Sequence, residues 1–227
     1  MKICVPIQCR SQEKAIEIWK SLKGKADLVE IWIDHIKDLE LQNLLKEKFT
    51  PVVCVCKKPI EMGKFKGTYK QAFELLSTAA QLGSDYIDVP LSQAVGRKLK
   101  TCLPVGKVEK CKLIVSYHNF TNTPSSSILL KKVKEMKKSG ANVIKIATKI
   151  KSLQDSTRLI LLANKIQELK LPHIIIGMGE KGVITRVLTP TLGGEMMFAA
   201  LDKSKASAPG QLTIEELKKE WKEIKTI

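Results

Sequence analysis

A lysine and a histidine occupy the positions of this sequence best suited to carbonyl chemistry. Lys145 stands between Ile144 and Ile146 in an apolar, β-branched run, and His118 ends the preceding run of the same kind. Burial and neighbouring cations lower the pKa of such a lysine and supply a neutral amine that attacks a ketone, while imidazole serves as both acid and base near neutral pH. The pair predicts Schiff-base chemistry. The competing interpretations are a lysine paired with an acid such as Glu30 and an ordinary buried histidine.

Eight apolar runs alternate with amphipathic helical stretches along the chain. The predicted strands are residues 2–9, 28–34, 51–56, 86–91, 112–118, 143–148, 173–179 and 195–201. Apolar residues at helical spacing predict helices over residues 13–23, 68–83, 126–140, 158–170 and 213–221. Thr213 and Glu216 have the spacing of a capping box at the start of the last helix. This alternation predicts parallel strands joined by right-handed crossovers.

Two architectures fit such a pattern, a closed eight-stranded barrel and an open, doubly wound sheet. An open nucleotide-binding sheet usually has a glycine-rich turn after its first strand, whereas residues 8–14 (QCRSQEK) contain no glycine. The count of eight strands favours the barrel, and we predict an α/β protein with a single (β/α)8 TIM barrel over residues 1–227. Because the sequence begins directly on its first strand, we expect no extra N-terminal hairpin.

The inward-facing positions of two predicted strands carry polar side chains. Alternation along the second strand places Glu30, Trp32 and Asp34 on the inward face, opposite the apolar residues that pack on the helices. The same alternation puts Ser116 and His118 on one face of the fifth strand. Functional side chains of barrels lie at the carboxyl ends of the strands and in the loops that follow. Polar groups inside a barrel are costly unless they are paired or functional, so these positions predict the active site.

The charge balance limits the classes of partner. The net charge is +16, from 39 Lys+Arg against 23 Asp+Glu, and only 5% of residues are aromatic. Lysines concentrate in helical stretches such as residues 131–138 and 215–225, which favours a solvated surface over a nucleic-acid face with interleaved aromatic residues. No run approaches the ~18 apolar residues of a membrane span, and the first apolar run is too short for a signal peptide. We expect a soluble, cytoplasmic protein that binds neither nucleic acid nor membranes.

Cysteines and histidines give no sign of a metal site. The six cysteines are Cys4, Cys9, Cys54, Cys56, Cys102 and Cys111, and the three histidines are His35, His118 and His173. Their spacings do not match those of zinc ligands, and a disulfide framework is typical of much smaller secreted domains. We therefore predict buried, reduced thiols and no metal.

Four linked segments resemble the type I 3-dehydroquinate dehydratases. They are SYHNF (116–120), VIKIA (143–147), MGEKGVITR (178–186) and SAPGQ (207–211). Their order, their spacing and their places on predicted strands five to eight agree with the family. The segment IEMGKFKG (60–67) and the strand of Glu30 match it more weakly. The resemblance covers nearly the whole chain.

The resemblance implies a reaction and a set of roles. Lys145 condenses with the C3 ketone of 3-dehydroquinate, and the iminium acidifies C2. His118 removes the C2 proton and then protonates the leaving C1 hydroxyl, which gives 3-dehydroshikimate by a syn elimination in the shikimate pathway of aromatic amino acid biosynthesis. Arg186 holds the substrate carboxylate, and Ser207 and Gln211 lie in a loop that closes over the ring. The resemblance also implies that no metal or organic cofactor is needed, and it makes a homodimer possible.

Two further substrate-binding candidates, Glu30 and Lys57, lie where this sequence differs from the family pattern. Glu30 begins a family Glu-x-Arg pattern in which Trp32 replaces the arginine, and Lys57 stands where the family has another arginine. Pro90 falls at the position expected for the glutamate that orients and charges the catalytic histidine, while Asp88 lies two residues deeper. Loss of an acid partner predicts a lower proton affinity for His118. A slower or differently tuned dehydratase is the leading hypothesis.

Three other functions remain open at this point. The first is another class I lyase or aldolase that uses Lys145 on a different carbonyl compound. The second is a catalytically weakened paralogue that binds an anionic metabolite. The third is nucleic-acid binding driven by the net charge of +16, which predicts strongly salt-dependent affinity.

Overall fold

Eight short parallel strands form the frame of the molecule. They are β1 (Ile3–Ile7), β2 (Leu28–Trp32), β3 (Val52–Val55), β4 (Tyr86–Pro90), β5 (Lys112–Asn119), β6 (Val143–Lys149), β7 (His173–Met178) and β8 (Met197–Phe198). The computed structural model describes residues 1–94 and 110–224. The strands pair in the order β7-β6-β5-β4-β3-β2-β1-β8, and a parallel bridge between His173 and Gly194 joins the two ends. The result is a nearly closed barrel, so the predicted TIM-barrel fold is confirmed.

The helices lie between the strands. They are α1 (Gln12–Ser21), α2 (Leu41–Leu44), α3 (Tyr69–Gln81), α4 (Leu91–Ala94), α5 (Ser126–Lys138), α6 (Leu153–Glu168), α7 (Val183–Leu188) and α8 (Ile214–Ile224). The five predicted helices correspond to α1, α3, α5, α6 and α8. The three others are too short to show a helical period.

Side-chain caps fix where several helices begin. A capping box of Ser152 and Asp155 starts α6 at Leu153, five residues before the predicted start at 158. The predicted capping box of Thr213 and Glu216 is confirmed: the Thr213 amide donates to Glu216 Oε2 at 2.9 Å, and the Glu216 amide donates to Thr213 Oγ1 at 3.2 Å.

Strand β8 is much shorter than the predicted run 195–201. Its ladder with β1 has only the pairs Ile3–Met197 and Cys4–Phe198. Beyond this ladder, the amide of Ala200 donates to the carbonyl of Leu212 at 2.9 Å, not to β1. The backbone thus leaves the barrel to pair with the segment before α8, which local hydrophobicity cannot indicate.

The strand register aligns the inward polar positions. Pro90 pairs with Ser116 across β4 and β5, and Ser116 pairs with Lys145 across β5 and β6. Alternate residues of these strands are apolar and buried, such as Ile144 and Ile146. Neighbouring strands therefore present Ser116 and Lys145 at the same level of the barrel.

The thiols of the described residues are free. Cys4, Cys54, Cys56 and Cys111 are buried as predicted, whereas Cys9 is only half-buried and Cys102 lies outside the described residues. Burial raises the pKa of Cys54 to about 11 and that of Cys56 to about 12. Over residues 1–94 and 110–224, no helix is both long and apolar enough to cross a bilayer.

Candidate active site

A cavity of about 340 Å³ opens at the carboxyl ends of the strands. Its wall includes all seven site residues predicted from the sequence, which are Glu30, Lys57, His118, Lys145, Arg186, Ser207 and Gln211. They come from β2, β5, β6, α7 and the loops after β3 and β8. The fold therefore brings the predicted constellation together at the end of the barrel where barrel enzymes do chemistry.

Lys145 is a buried ammonium group held by two carboxylates. Its side chain is 8% exposed, and Nζ lies 2.9 Å from Asp88 Oδ2 and 3.0 Å from Glu30 Oε2. Nζ also lies 4.3 Å from the centre of the Phe198 ring. Burial alone lowers the pKa of Lys145, but Asp88 and Glu30 outweigh burial and raise it above its ordinary value. The prediction of a lowered pKa was wrong, because the amine adjoins two acids and not the cations on which the prediction rested.

Asp88 is the counter-ion of a second buried lysine. Lys57 Nζ donates to Asp88 Oδ1 at 2.6 Å and to Ser116 Oγ at 3.0 Å, while Ser116 Oγ donates to Asp88 Oδ1 at 2.6 Å. Although burial opposes ionisation, Lys145 and Lys57 hold the pKa of Asp88 well below its usual range. Asp88 is thus ionised between the two lysines.

His118 lies at the end of β5 as a neutral imidazole. Its Nδ1 atom is buried without a hydrogen-bond partner within the described part of the chain, and its ring stacks on Phe120 with centroids 5.9 Å apart. Burial, followed by the charges of Lys57 and Lys145, lowers the pKa of His118 to about 3. The sequence also predicted a lower proton affinity for His118, which agrees in direction with this lowered pKa. The ring is therefore unprotonated near neutral pH, the form that a general base needs.

Arg186 supplies a buried cation that has no counter-ion within residues 1–94 and 110–224. The residue is 1% exposed on α7, and neither Nε nor Nη2 has a hydrogen-bond partner among the described residues. Burial lowers its pKa to about 10, which still leaves the guanidinium charged near neutral pH. An unsatisfied buried guanidinium beside a cavity is suited to a carboxylate ligand.

The segment 207–211 covers part of the cavity. Gln211 Oε1 accepts from the Ser207 amide at 2.6 Å and from Ser207 Oγ at 3.0 Å. The Pro209 carbonyl accepts from the Gly179 amide at 2.9 Å, which docks the segment on the turn after β7. Gly210 has φ +75°, and a Cβ there would lie 2.5 Å from the Gly179 carbonyl oxygen. Only glycine allows so close an approach.

Comparison with known proteins identifies the family. Residues 3–226 match the model of the family described as Type I 3-dehydroquinase. The chain belongs to this family. It is 37% identical over 220 residues to the chloroplastic bifunctional 3-dehydroquinate dehydratase/shikimate dehydrogenase of Arabidopsis thaliana. The aligned residues cover 95% of this chain but only 36% of that relative.

A shorter relative matches nearly the whole of this chain. The 3-dehydroquinate dehydratase of Methanocaldococcus jannaschii is 34% identical over 221 residues, which cover 97% of each chain. Among solved structures, the type I 3-dehydroquinate dehydratase of Clostridium difficile with covalently modified comenic acid superimposes with a TM-score of 0.87 at 26% identity, covering 100% of this chain and 93% of that one.

Two charged residues of the cavity wall were not predicted from the sequence. Glu61 lies in the loop after β3 with a buried Oε2 that has no hydrogen-bond partner in the described part of the chain, and burial raises its pKa. Lys149, at the end of β6, also lines the cavity. Glu61 belongs to the segment 60–67 that weakly matches the family, and Lys149 lies on the same inward face of its strand as Lys145. The sequence therefore held a signal for each of these two residues.

The inward assignment of Asp34 was wrong. Strand β2 ends at Trp32, and residues Ile33–His35 form a 3-10 turn that breaks the alternation. Asp34 does not line the cavity. Its carboxylate instead accepts the backbone amides of Lys57 at 3.2 Å and Lys64 at 2.7 Å, and so fixes the loop that carries Glu61.

Proposed function

We infer that this chain is a 3-dehydroquinate dehydratase, a hydro-lyase that converts 3-dehydroquinate to 3-dehydroshikimate in the shikimate pathway. The observation that carries this conclusion is Lys145, a buried amine between two carboxylates in the wall of the cavity. The family membership supplies the substrate, and the seven wall residues supply groups for each step. We propose that residues 1–227 act as one catalytic domain.

The first step joins Lys145 to the substrate. Nζ adds to the C3 ketone, water leaves, and a cationic iminium forms. Asp88 and Glu30, whose oxygens lie 2.9 and 3.0 Å from the Lys145 amine, place negative charge beside this iminium. The two carboxylates therefore stabilise the intermediate, although they also hold the free amine in its protonated form.

The second step removes the elements of water from C1 and C2. The iminium withdraws electrons from C2, and the neutral imidazole of His118 accepts the C2 proton. The resulting enamine expels the C1 hydroxyl, which takes the proton back from His118 and leaves as water. Hydrolysis of the imine then frees Lys145 and 3-dehydroshikimate.

The other wall residues are proposed to hold the substrate. Arg186 binds the C1 carboxylate through its unpaired Nε and Nη2 atoms. Lys57, Glu30, Ser207 and Gln211 contact the ring hydroxyls. Closure of the segment 207–211 limits the access of water to the iminium.

Location and assembly belong to the same proposal. Five free cysteines in the described residues suit a reducing, cytoplasmic compartment. A homodimer is proposed on the resemblance to the family alone. The proposed ligand is the small anionic substrate and not a nucleic acid.

Borohydride trapping tests this function. The protein is mixed with 3-dehydroquinate and sodium borohydride, and intact and peptide mass spectrometry locate the reduced adduct. We expect the adduct on Lys145, its loss in Lys145→Met, and its retention on Lys145 in the control Lys149→Met, which alters another lysine of the same wall. Turnover is followed by the ultraviolet absorbance of the conjugated enone product. A folded protein with neither adduct nor turnover excludes the dehydratase.

A further inference from the structure

Trp32 lies in the cavity wall at a position where the resembling family carries an arginine. Its indole Nε1 donates a hydrogen bond to Glu30 Oε1 at 2.9 Å. The indole also packs edge-on against the ring of His35, with centroids 5.3 Å apart and planes at 70°. The side chain is therefore held on one side by an aromatic contact and directed on the other at a carboxylate.

With that hydrogen bond, each carboxylate oxygen of Glu30 has a donor. The residue is 3% exposed, and its second oxygen, Oε2, accepts from Lys145 Nζ at 3.0 Å. A buried carboxylate oxygen without a donor is costly, so the indole satisfies the oxygen that Lys145 does not reach. With a donor on each oxygen, the carboxylate has one preferred orientation, and that orientation faces Lys145.

The charge of the donor matters as much as its position. Lys57, Lys145 and Arg186 are buried cations of this wall. A guanidinium at position 32 would add a further positive charge beside Glu30 and compete with Lys145 for it. The indole donates without charge, and Glu30 keeps its full negative charge for Lys145.

We propose that Trp32 is a positioning residue for Lys145: its neutral N–H orients Glu30 toward the amine and leaves the charge of Glu30 to that amine alone. The proposal deepens the proposed function in that it takes Lys145 as the reacting group. Trp32 itself does not take part in bond making.

Competitive labelling of Lys145 over a pH series tests this role without using 3-dehydroquinate. Acetic anhydride acetylates the neutral amine, and peptide mass spectrometry gives the extent of labelling at Lys145 for each pH. The unaltered protein is compared with Trp32→Phe, which keeps an aromatic ring without the donor, with Trp32→Arg, which donates with a charge, and with Glu30→Gln. Trp19→Phe is the matched control, because Trp19 also donates through Nε1, to Thr50 Oγ1 at 2.9 Å, but lies outside the cavity wall.

We expect the labelling midpoint to fall in every cavity variant and to stay in place in Trp19→Phe. Glu30→Gln removes the carboxylate charge altogether and should lower the labelling midpoint of Lys145 by on the order of one to three pH units. Trp32→Phe shifts the midpoint in the same direction by less, because Glu30 keeps its charge but loses its anchor. Trp32→Arg shifts it by on the order of one unit through competition and repulsion.

Unchanged midpoints in both Trp32 variants overturn the proposal, and so does an unchanged midpoint in Glu30→Gln. Thermal unfolding of each variant shows whether it is folded. If Trp32→Phe does not fold, the midpoint of Trp32→Arg decides. A failure to trap 3-dehydroquinate in the unaltered protein rejects the proposed function but leaves this titration of Lys145 intact, so the two failures are distinguishable.

Discussion

In the proposed reaction, Lys145 must satisfy two opposite requirements. Attack on a ketone needs a neutral amine, whereas the iminium that follows is a cation. The carboxylates of Asp88 and Glu30, 2.9 and 3.0 Å from Lys145 Nζ, favour both the ammonium before the attack and the iminium after it. We therefore propose that the two carboxylates stabilise the covalent intermediate and, before it forms, leave only a small fraction of Lys145 as the reactive neutral amine.

This balance predicts how imine formation depends on pH. Because the pKa of Lys145 is raised, the neutral fraction at neutral pH is small and grows about tenfold for each unit of pH. We expect the single-turnover rate of borohydride-trappable adduct to rise with pH across the neutral and mildly alkaline range. Rapid quenching at constant ionic strength measures this rate. A plateau at or below neutral pH contradicts the prediction.

At the scale of the elements, the segment 207–211 depends on close backbone contact with the turn after β7. In Gly210→Ala, the new Cβ would lie 2.5 Å from the Gly179 carbonyl oxygen, so the segment must lift from the cavity. We expect kcat/KM for 3-dehydroquinate to fall on the order of tenfold, because a displaced segment no longer positions Ser207 and Gln211.

Gly24→Ala is the control for backbone strain in that experiment. Gly24 has φ +76°, close to the φ of +75° at Gly210, but a Cβ there meets no atom within 4 Å. Both variants carry the cost of a left-handed conformation, on the order of 1–2 kcal/mol, and only Gly210→Ala carries the clash. Equal kcat/KM in the two variants argues against a role for the docked segment.

For the whole molecule, Glu195 joins strands at the end of the barrel opposite the cavity. Its Oε1 accepts from Tyr86 Oη of β4 at 2.6 Å, from Lys112 Nζ of β5 at 3.0 Å and from Lys2 Nζ at 3.1 Å. Burial opposes ionisation, but these donors lower the pKa of Glu195 to about 2. The contact links the residues just before β8 to distant strands and so supports barrel closure.

The lowered pKa sets the pH window of this stabilisation. It is fully present above the ordinary value of 4.5 and is lost as the pH falls toward about 2. We expect Glu195→Gln to lower the free energy of unfolding by on the order of 1–2 kcal/mol at neutral pH, with the difference shrinking in acid. Urea unfolding at several pH values measures it. Glu17→Gln, which breaks the exposed pair of Lys14 and Glu17, should change little, and an equal loss in both variants refutes the prediction.

Local sequence patterns determined much of the fold and three of the seven predicted site residues, and the resemblance to the family supplied the other four. The period of two in β2, β5 and β6 places Glu30, His118 and Lys145 on inward faces, because successive side chains of a strand alternate. The same pattern failed at Asp34, where a 3-10 turn ends the alternation. It also failed for the length of β8, whose pairing with β1 ends once Ala200 bonds to Leu212.

The sequence by itself determined that a lysine and a histidine would face one barrel interior. Only the tertiary structure decided the charge of that lysine. Its two carboxylate partners lie 57 and 115 residues away along the chain, and the sign of a pKa shift depends on which charges lie within a few ångströms. The place of Glu61 in the wall and the indole contact of Trp32 with Glu30 follow from loop and side-chain conformations. A strand period identifies the face on which a side chain lies, but not the partners that it meets there.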